Sequence, residues 1–382
     1  MFDIMKGKYY ESDYEEALID LLVQQGWEYT HGGSISRNNR EVLFVDDLML
    51  YLQQRYPDLQ HGDIEEIINR LRHVSGQTHF ELLRNTYYLV RDGFRYIRNQ
   101  DGETFDIEFV DFEAQNKNNI YRCVNQFEVG YGQKNDIRIP DVLLFVNGIP
   151  LCVFELKNPT DFNATIADAY DQIHIRYKRD IPHLLRYAPL SCISDATINN
   201  TKLGTTYTPY NHYYVWKKVN NEDESAKRGT DQVKTIVAGV YEPNRFLEII
   251  RDFVYFPDKK HDKEEEVVCR YPQFFATRML KESVLKAHSA NSSKGGTYFG
   301  ATGCGKTYTM MFLARQLSLR CKELGSPTIV MIVDRDDLQT QAGKLFLRSE
   351  EFLSLGTAKI ISDREDLKRE LSIRESGGFF IC

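Results

Sequence analysis

Residues 139–159 (IPDVLLFVNGIPLCVFELKNP) constrain the fold of this chain more than any other stretch. Two short runs of apolar and β-branched residues flank Asn147-Gly148, a dipeptide typical of tight β-hairpin turns. Three charged residues interrupt this apolar pattern, namely Asp141, Glu155 and Lys157. The pattern predicts a buried hairpin, and charged groups in a buried hairpin call for a chemical role.

The three charged side chains match the needs of a metal-dependent nuclease. The carboxylates of Asp141 and Glu155 suit Mg²⁺, and the ammonium group of Lys157 suits the attacking water or the scissile phosphate. Glu155 and Lys157 are two residues apart in one strand and therefore share a face. The alternative is that Asp141 and Lys157 only mark strand ends, while Glu155 pairs with Lys157 on a solvated face.

The turn of the hairpin decides whether Asp141 can join the other two residues. A strict two-residue turn at Asn147-Gly148 pairs position 141 with 154 and turns Asp141 away from Glu155. A three-residue loop or a β-bulge shifts the register by one residue and brings the two carboxylates to one face. We therefore predict one of these two irregularities.

Composition limits the class of protein. A length of 382 residues is enough for two or three domains, and the formal net charge of -7 argues against a generally basic nucleic-acid-coating protein, though not against a local basic channel. Seven scattered cysteines without a Cys-x-x-Cys pair predict reduced thiols in a cytosolic protein. With no signal peptide and no run of ~18 apolar residues, we expect a cytoplasmic protein without a membrane span.

The segment after the hairpin, residues 161–180, is predicted to be a helix that packs on the sheet, because its apolar residues recur at helical spacing. Segments 190–194 and 213–216 read as further strands of that sheet. Residues 217–235 turn polar without periodicity, which predicts a surface insertion or linker. We place the domain boundary near residue 245.

A second motif, GATGCGKT at residues 300–307, fits the phosphate-binding pattern G-x-x-x-x-G-K-[ST]. Glycines at 303 and 305 let backbone amides approach phosphates, Lys306 reaches the β- and γ-phosphates, and Thr307 can hold Mg²⁺. The predicted nucleotide-binding residues of this loop are Gly300, Thr302, Gly303, Gly305, Lys306 and Thr307.

The surroundings of the loop predict a parallel sheet. Segment 295–299 (GGTYF) reads as a short strand before the loop, and residues 308–319 read as the helix after it. Segment 328–333 (TIVMIV) is predicted to be a buried parallel strand, with two more strands at 359–362 and 379–382.

These motifs carry a family resemblance. Pro140-Asp141 and Glu155-Leu156-Lys157, joined by a hydrophobic hairpin, resemble in full the PD-(D/E)xK nuclease motif. The surrounding segments NQFEV (125–129), NDIRIPDVLLFVNGIPL (135–151) and ELKNP (155–159) are similar to the nuclease domain of the restriction (R) subunit of type I restriction-modification enzymes. Segment 334–339 resembles motif Ia of superfamily 2 helicases. Segment 270–273 resembles their Q motif, in which Gln273 would read the adenine edge.

One segment departs from the related pattern. In RecB-type nucleases a Gln-x-x-x-Tyr motif follows the Glu-x-Lys strand, whereas here Gln172 and Tyr177 are separated by four residues. A regular α-helix would place these two side chains on different faces. Either the helix contains a π-bulge or only one of the two residues keeps its supporting role. Tyr177 could equally be a core residue.

The resemblance implies an α/β chain with a restriction-endonuclease-like α/β/α domain followed by a truncated RecA-like parallel-sheet domain. It implies an endonuclease domain in residues 1–245, a helical linker with the Q-motif-like segment in 246–292, and an incomplete first helicase lobe in 293–382. Asp141 and Glu155 would hold Mg²⁺, Lys157 would orient or activate the attacking water, and Lys306 and Thr307 would bind the phosphates of ATP and their metal.

The implied function is that of an R subunit of an ATP-dependent type I site-specific deoxyribonuclease, which cleaves double-stranded DNA together with methyltransferase (M) and specificity (S) subunits. Because the chain stops at Cys382 inside a predicted strand, before an Asp-Glu-x-His element, we expect it to bind ATP without hydrolysing it. Two alternatives stay open: a non-catalytic DNA-binding and docking module, and a helicase-nuclease of DNA repair.

Overall fold

A computed structural model of the protein describes residues 11–113, 118–133, 136–158, 165–258, 264–333, 343–354, 358–373 and 376–382. The chain forms two compact units, the first ending at Arg251 and the second beginning at Asp252. No helix in the described ranges combines the length and the apolar character needed to cross a membrane. All seven cysteines are free thiols, as their scattered spacing predicts.

The first unit contains a mixed set of helices and strands. Its helices are α1 Glu11–Gln24, α2 Val45–Arg55, α3 His61–Arg72, α4 His79–Asp92, α5 Ile166–Asp171, a π-helix Gln172–Tyr177, α6 Lys178–Asp180, α7 Pro182–Leu185, α8 Gly229–Val240 and α9 Pro243–Asp252. Its strands are β1 Glu28–His31, β2 Phe94–Ile97, β3 Thr104–Ile107, β4 Tyr121–Asn125, β5 Val129–Tyr131, β6 Asp136–Arg138, β7 Val142–Val146, β8 Ile149–Leu156, β9 Leu190–Ser194, β10 Thr201–Gly204 and β11 Tyr214–Val215.

Seven of these strands form one sheet in the order β1-β4-β7-β8-β9-β10-β11. Strand β8 is the central strand. It pairs antiparallel with β7 and parallel with β9, so the sheet is mixed. The two strands predicted from segments 190–194 and 213–216 are confirmed as β9 and β11, whereas the predicted linker ends earlier than expected because helix α8 already begins at Gly229.

Helices cover both faces of this sheet next to its centre. Glu155 pairs with Ile193, and the adjacent Leu156 pairs with Ser194. The side chain of Glu155 meets Tyr177 at the end of the π-helix, while the hydroxyl of Ser194 lies 2.7 Å from that of Tyr14 in α1. Because successive side chains of a strand point to opposite faces, α1 and the π-helix lie on opposite sides of the sheet.

The second unit contains a small parallel sheet. Its helices are α10 Tyr271–Ser289, α11 Lys306–Leu319, α12 Glu350–Leu353 and α13 Arg364–Ser372, and its strands are β12 Val254–Tyr255, β13 Val267–Val268, β14 Ile329–Met331, β15 Lys359–Ile360 and β16 Phe379–Ile381. Strands β14, β16 and β15 lie side by side in that order and are parallel. The three predicted strands of this sheet are therefore confirmed.

Two expectations for the second unit are wrong. Segment 295–299 forms no strand, and the side chain of Phe299 is 93% exposed, because no described strand pairs with this segment. Strand β14 is half-buried instead of buried, and the next residue, Ile332, is 78% exposed. In the described part of the sheet β14 pairs on one side only, which leaves its other edge uncovered.

Candidate functional site

The hairpin of β7 and β8 lies at the centre of the seven-stranded sheet and is buried along its whole length. Both strands are continuous apolar runs, as expected where helices cover both faces of a sheet. Glu155 is the only charged residue in either strand, and its side chain is fully buried. A carboxylate in this position needs partners that compensate for its lost hydration.

The turn between these strands has two residues, and a bulge corrects the register. Asn147 and Gly148 have φ values of 50° and 78°, as a type I′ turn requires, and Val146 pairs with Ile149. Two residues further from the turn the register shifts, which leaves Leu151 as an extra residue in β8. The predicted irregularity is therefore confirmed as a bulge.

The bulge decides which residues share a face. Beyond it, Val142 pairs with Phe154, so that the same register continued by one residue places Asp141 opposite Glu155. Pro150 is a sequence signal for this bulge. Pro150 lies in a central strand without an N–H group to donate, and proline inside a sheet is confined to edges, strand starts and bulges.

Glu155 is held from two sides. Its Oε1 accepts a hydrogen bond from Nζ of Lys157 at 2.8 Å, and its Oε2 accepts one from the hydroxyl of Tyr177 at 2.9 Å. Lys157 is only 9% exposed, so the alternative of an ion pair on a solvated face is wrong. On the neighbouring strand end, Oδ2 of Asp141 accepts the backbone N–H of Leu156 at 2.5 Å.

The helix that follows has the irregularity that the spacing of Gln172 and Tyr177 requires. Residues Gln172–Tyr177 form a π-helix, in which hydrogen bonds close over five residues instead of four. This brings the two side chains together, and Nε2 of Gln172 donates to the phenolic oxygen of Tyr177 at 2.9 Å. The first of the two predicted outcomes, a π-helical irregularity, is therefore confirmed.

The three groups form an ordered chain of hydrogen bonds. Gln172 donates to the oxygen of Tyr177, and Tyr177 in turn donates its proton to Glu155. Burial raises the pKa of Tyr177 well above its usual value, and the negative charge of Glu155 acts in the same direction. The phenol is therefore protonated at neutral pH and donates to the carboxylate.

The donor set fits a magnesium ion. Mg²⁺ is bound in proteins through one or two carboxylates, with substrate phosphates and water completing the shell. Asp141 and Glu155 would provide these two carboxylates from paired strand positions, and each carboxylate oxygen can accept more than one bond. The described residues contain no cluster of three or more His, Cys, Asp or Glu side chains suited to a metal ion.

The phosphate-binding motif forms a loop that leads into helix α11. Gly303 and Gly305 have φ values of 78° and 82°, and α11 begins at Lys306. The ammonium group of Lys306 donates to the carbonyl oxygens of Gly300 and Ala301 at 2.9 and 3.0 Å. The side chain of Lys306 thus folds back onto the loop. Its positive charge lies beside the start of helix α11, a position where phosphate groups bind favourably.

Gln273 lies against this loop. It is 4% exposed, its Oε1 accepts the N–H of Arg270 at 2.8 Å, and its Nε2 lies 3.4 and 3.3 Å from the carbonyl oxygens of Cys304 and Gly305. The structure thus brings Gln273 together with Cys304 and Gly305 of the loop, while Thr302 is exposed at the loop surface. Reading of adenine by Gln273 stays a prediction.

Segment 334–339, which resembles motif Ia, lies outside the described residues.

Comparison with known protein families gives one match for each half of the chain. Residues 8–212 match the family described as type I restriction enzyme R protein N terminus, and residues 272–382 match the SWI2/SNF2 ATPase family. These matches cover the segments that contain the hairpin and the phosphate-binding loop.

Curated relatives match along most of the chain. It is 31% identical over 97% of its length to the type I restriction enzyme HindI endonuclease subunit of Haemophilus influenzae, covering 36% of that protein. It is 27% identical over 92% of its length to the putative type I restriction enzyme MjaIXP endonuclease subunit of Methanocaldococcus jannaschii, covering 35% of it. The chain thus spans about a third of the length of these relatives. The family match over residues 8–212 and the similarity to the HindI subunit together show that the chain belongs to the type I restriction enzyme R protein family.

Proposed function

We propose that the first unit is a Mg²⁺-dependent endonuclease of the PD-(D/E)xK type, which cleaves double-stranded DNA. The observation that supports this most is the fully buried carboxylate of Glu155, held between Lys157 and Tyr177 and opposite Asp141 in the strand register. A purely structural role would not require a buried carboxylate at the centre of an apolar hairpin, because apolar residues of similar volume are usually as stable there.

Each residue of the site has a distinct role in this proposal. Asp141 and Glu155 hold Mg²⁺, which when bound supplies positive charge to the scissile phosphate. Lys157 orients the attacking water or stabilises the phosphate, because its ammonium group lies 2.8 Å from Glu155 and therefore beside the metal ligands. Tyr177 keeps the Glu155 carboxylate in one orientation, and Gln172 keeps the phenol directed at it.

The second unit is proposed to bind ATP. Lys306 would contact the β- and γ-phosphates, Thr307 would hold the accompanying Mg²⁺, and the glycines of the loop let backbone amides approach. We further propose that the chain acts in the cytoplasm within a type I restriction enzyme, together with M and S subunits and as part of an ATP-driven DNA motor. The corresponding division would be a nuclease domain in 1–245, a linker in 246–292 and a RecA-like lobe in 293–382.

The test combines cleavage with metal binding. The wild-type chain should nick supercoiled plasmid with Mg²⁺ or Mn²⁺ and should bind Mn²⁺ in calorimetry, whereas Asp141→Ala should lose both. Asp106→Ala is the matched control, since this carboxylate lies on β3 and is 79% exposed. Equal nicking and equal Mn²⁺ binding by wild type and Asp141→Ala would remove the assignment and favour a non-catalytic docking module.

A further inference from the structure

The π-helix places a third side chain on the face of the helix that reaches the nuclease site. Hydrogen bonds in a π-helix close over five residues, and one turn of it ends between the fourth and fifth residue. One turn after Gln172, the side chains of residues 176 and 177 therefore lie on either side of the Gln172 side chain. Gln172 contacts Tyr177, and Tyr177 contacts Glu155. Arg176 therefore lies next to Gln172 on the helix surface, at the outer end of this chain of hydrogen bonds.

Arg176 differs from the arginines around it. Arg138 donates to Asp180 at 2.8 Å through Nε, and Arg179 donates to the same carboxylate at 2.7 Å. These two bonds and their charges lower the pKa of Asp180 to about 2, so the carboxylate stays ionised. Arg176 is exposed and has neither a hydrogen bond nor an ion pair within the part of the chain that the structure describes.

We call Arg138, Arg176 and Arg179 the arginine rim. The rim is continuous with the site, because the hydroxyl of Tyr177 also lies 3.3 Å from the carbonyl oxygen of Ile139, the residue after Arg138. Arg138 and Arg179 share a single carboxylate, Asp180, and Arg176 pairs with none among the described residues, so the three guanidinium groups have one ion-paired carboxylate between them. Beside Arg176, Ile175 is 57% exposed, so the helix presents an open surface here.

We infer that the arginine rim binds the sugar-phosphate backbone of duplex DNA beside the scissile bond, with Arg176 as a direct phosphate contact. The inference rests on the proposed nuclease function and names how its substrate is held. The chain has a formal net charge of -7, and the site itself contains two carboxylates, so a phosphate backbone needs a local positive surface to approach. A guanidinium group without an internal acceptor is suited to bind phosphate with two parallel hydrogen bonds.

The inference predicts binding that depends on salt and not on base sequence. Each phosphate neutralised by a protein cation changes the slope of log affinity against log salt concentration by about 0.9. Arg176→Gln should therefore lower the absolute slope by about 0.9 and weaken binding roughly eightfold at 0.1 M salt, equally for unrelated duplexes. Arg176→Lys should keep the wild-type slope, because a lysine still neutralises one phosphate.

The experiment uses the full 382-residue chain and a fluorescein-labelled 30-base-pair duplex, followed by anisotropy from about 0.05 to 0.3 M KCl in the presence of EDTA. Arg95→Gln is the matched control, because Arg95 is also exposed but lies on β2 and pairs with Asp106. A wild-type slope for Arg176→Gln, or wild-type protein without salt-dependent duplex binding, would overturn the inference.

The two proposals fail in different ways in this design. EDTA removes the metal, so binding is measured without cleavage, and the result does not depend on Asp141 or Glu155 acting on the phosphodiester. If Arg176→Gln lowers the slope but wild type and Asp141→Ala cut plasmid equally, the DNA contact stands and the nuclease assignment falls. If cleavage requires Asp141 but the slope is unchanged in Arg176→Gln, the nuclease assignment stands and the rim contact falls.

Discussion

Gln172 donates a hydrogen bond to Tyr177 across 2.9 Å although the two residues are five positions apart, because the helix between them is a π-helix. The family resemblance led us to expect one residue fewer between them. The π-helix accommodates the extra residue, so Gln172 still contacts Tyr177, and Tyr177 contacts Glu155. π-helical turns of this kind are rare and frequently occur at functional sites, which agrees with the position of this one.

Removal of the Tyr177 hydroxyl should affect cleavage far more than folding. Tyr177→Phe keeps the buried ring but leaves Glu155 with one donor fewer. We expect plasmid nicking to fall about 10- to 100-fold, as is typical when the partner of a metal ligand is removed, and stability to fall by about 1 kcal/mol. Tyr29→Phe is the control, because that phenol is 43% exposed and bonds only to Asn125 among the described contacts. Equal loss of nicking in both variants would contradict a positioning role.

The hairpin turn should tolerate no side chain at Gly148. This residue has a φ of 78°, and a Cβ atom there would lie 2.1 Å from the carbonyl oxygen of Phe44. Gly148→Ala should therefore lower the free energy of unfolding by more than about 1 kcal/mol in urea titrations. Gly62→Ala in α3, where a Cβ atom meets nothing within 4 Å, should instead raise it by about 0.5–1 kcal/mol. Similar midpoints for the two variants would show that the turn is not the constraint.

Nucleotide binding should depend on Gly305. An added Cβ would lie 2.2 Å from Nε2 of Gln273, and the φ of 82° adds strain. With Mg²⁺-ATP at about 100 times its dissociation constant, the wild-type chain should gain about 2.7 kcal/mol of stability, read as a rise in melting temperature. Gly305→Ala should show no such rise, whereas Gly295→Ala, which has open space around it, should respond like wild type. A full rise in Gly305→Ala would refute this role of the loop.

The stability of the first unit should fall in acid partly through His174. Nε2 of its imidazole lies 3.0 Å from the hydroxyl oxygen of Tyr213. Burial and the positive charge of Lys178 lower the pKa of His174 to about 3. The unfolded chain has the ordinary value of about 6.5, so it binds more protons than the folded chain between these limits. The free energy of unfolding therefore falls as pH drops below about 6.5.

A variant isolates this contribution. His174→Phe cannot be protonated, so its unfolding free energy should vary less with pH, by up to about 1.4 kcal/mol per pH unit between pH 4 and 6. The measurement is a set of urea titrations at pH 7.5, 6, 5 and 4 for both proteins. Parallel pH profiles for wild type and His174→Phe would show that the imidazole titrates normally in the folded chain.

Three features were predictable from the sequence: the strand face that Glu155 and Lys157 share, the tight turn at Asn147-Gly148, and the phosphate-binding loop. These features depend on local rules: the period of two in a strand, the backbone that Asn-Gly favours, and the glycines that a phosphate loop needs. The strand expected before the loop was wrong, because a strand exists only where another strand supplies hydrogen-bond partners, and a local pattern does not contain that information.

The sequence by itself singled out Asp141, Glu155 and Lys157 as the proposed site residues. It also limited their arrangement to two outcomes at the turn and two in the helix. Only the tertiary structure decided between them. A bulge at Leu151 sets Asp141 opposite Glu155, and a π-helix directs Gln172 and Tyr177 to one point. Both irregularities weaken local backbone hydrogen bonding, so they form only where packing of the surrounding sheet and helix compensates, and that compensation involves residues distant in the chain.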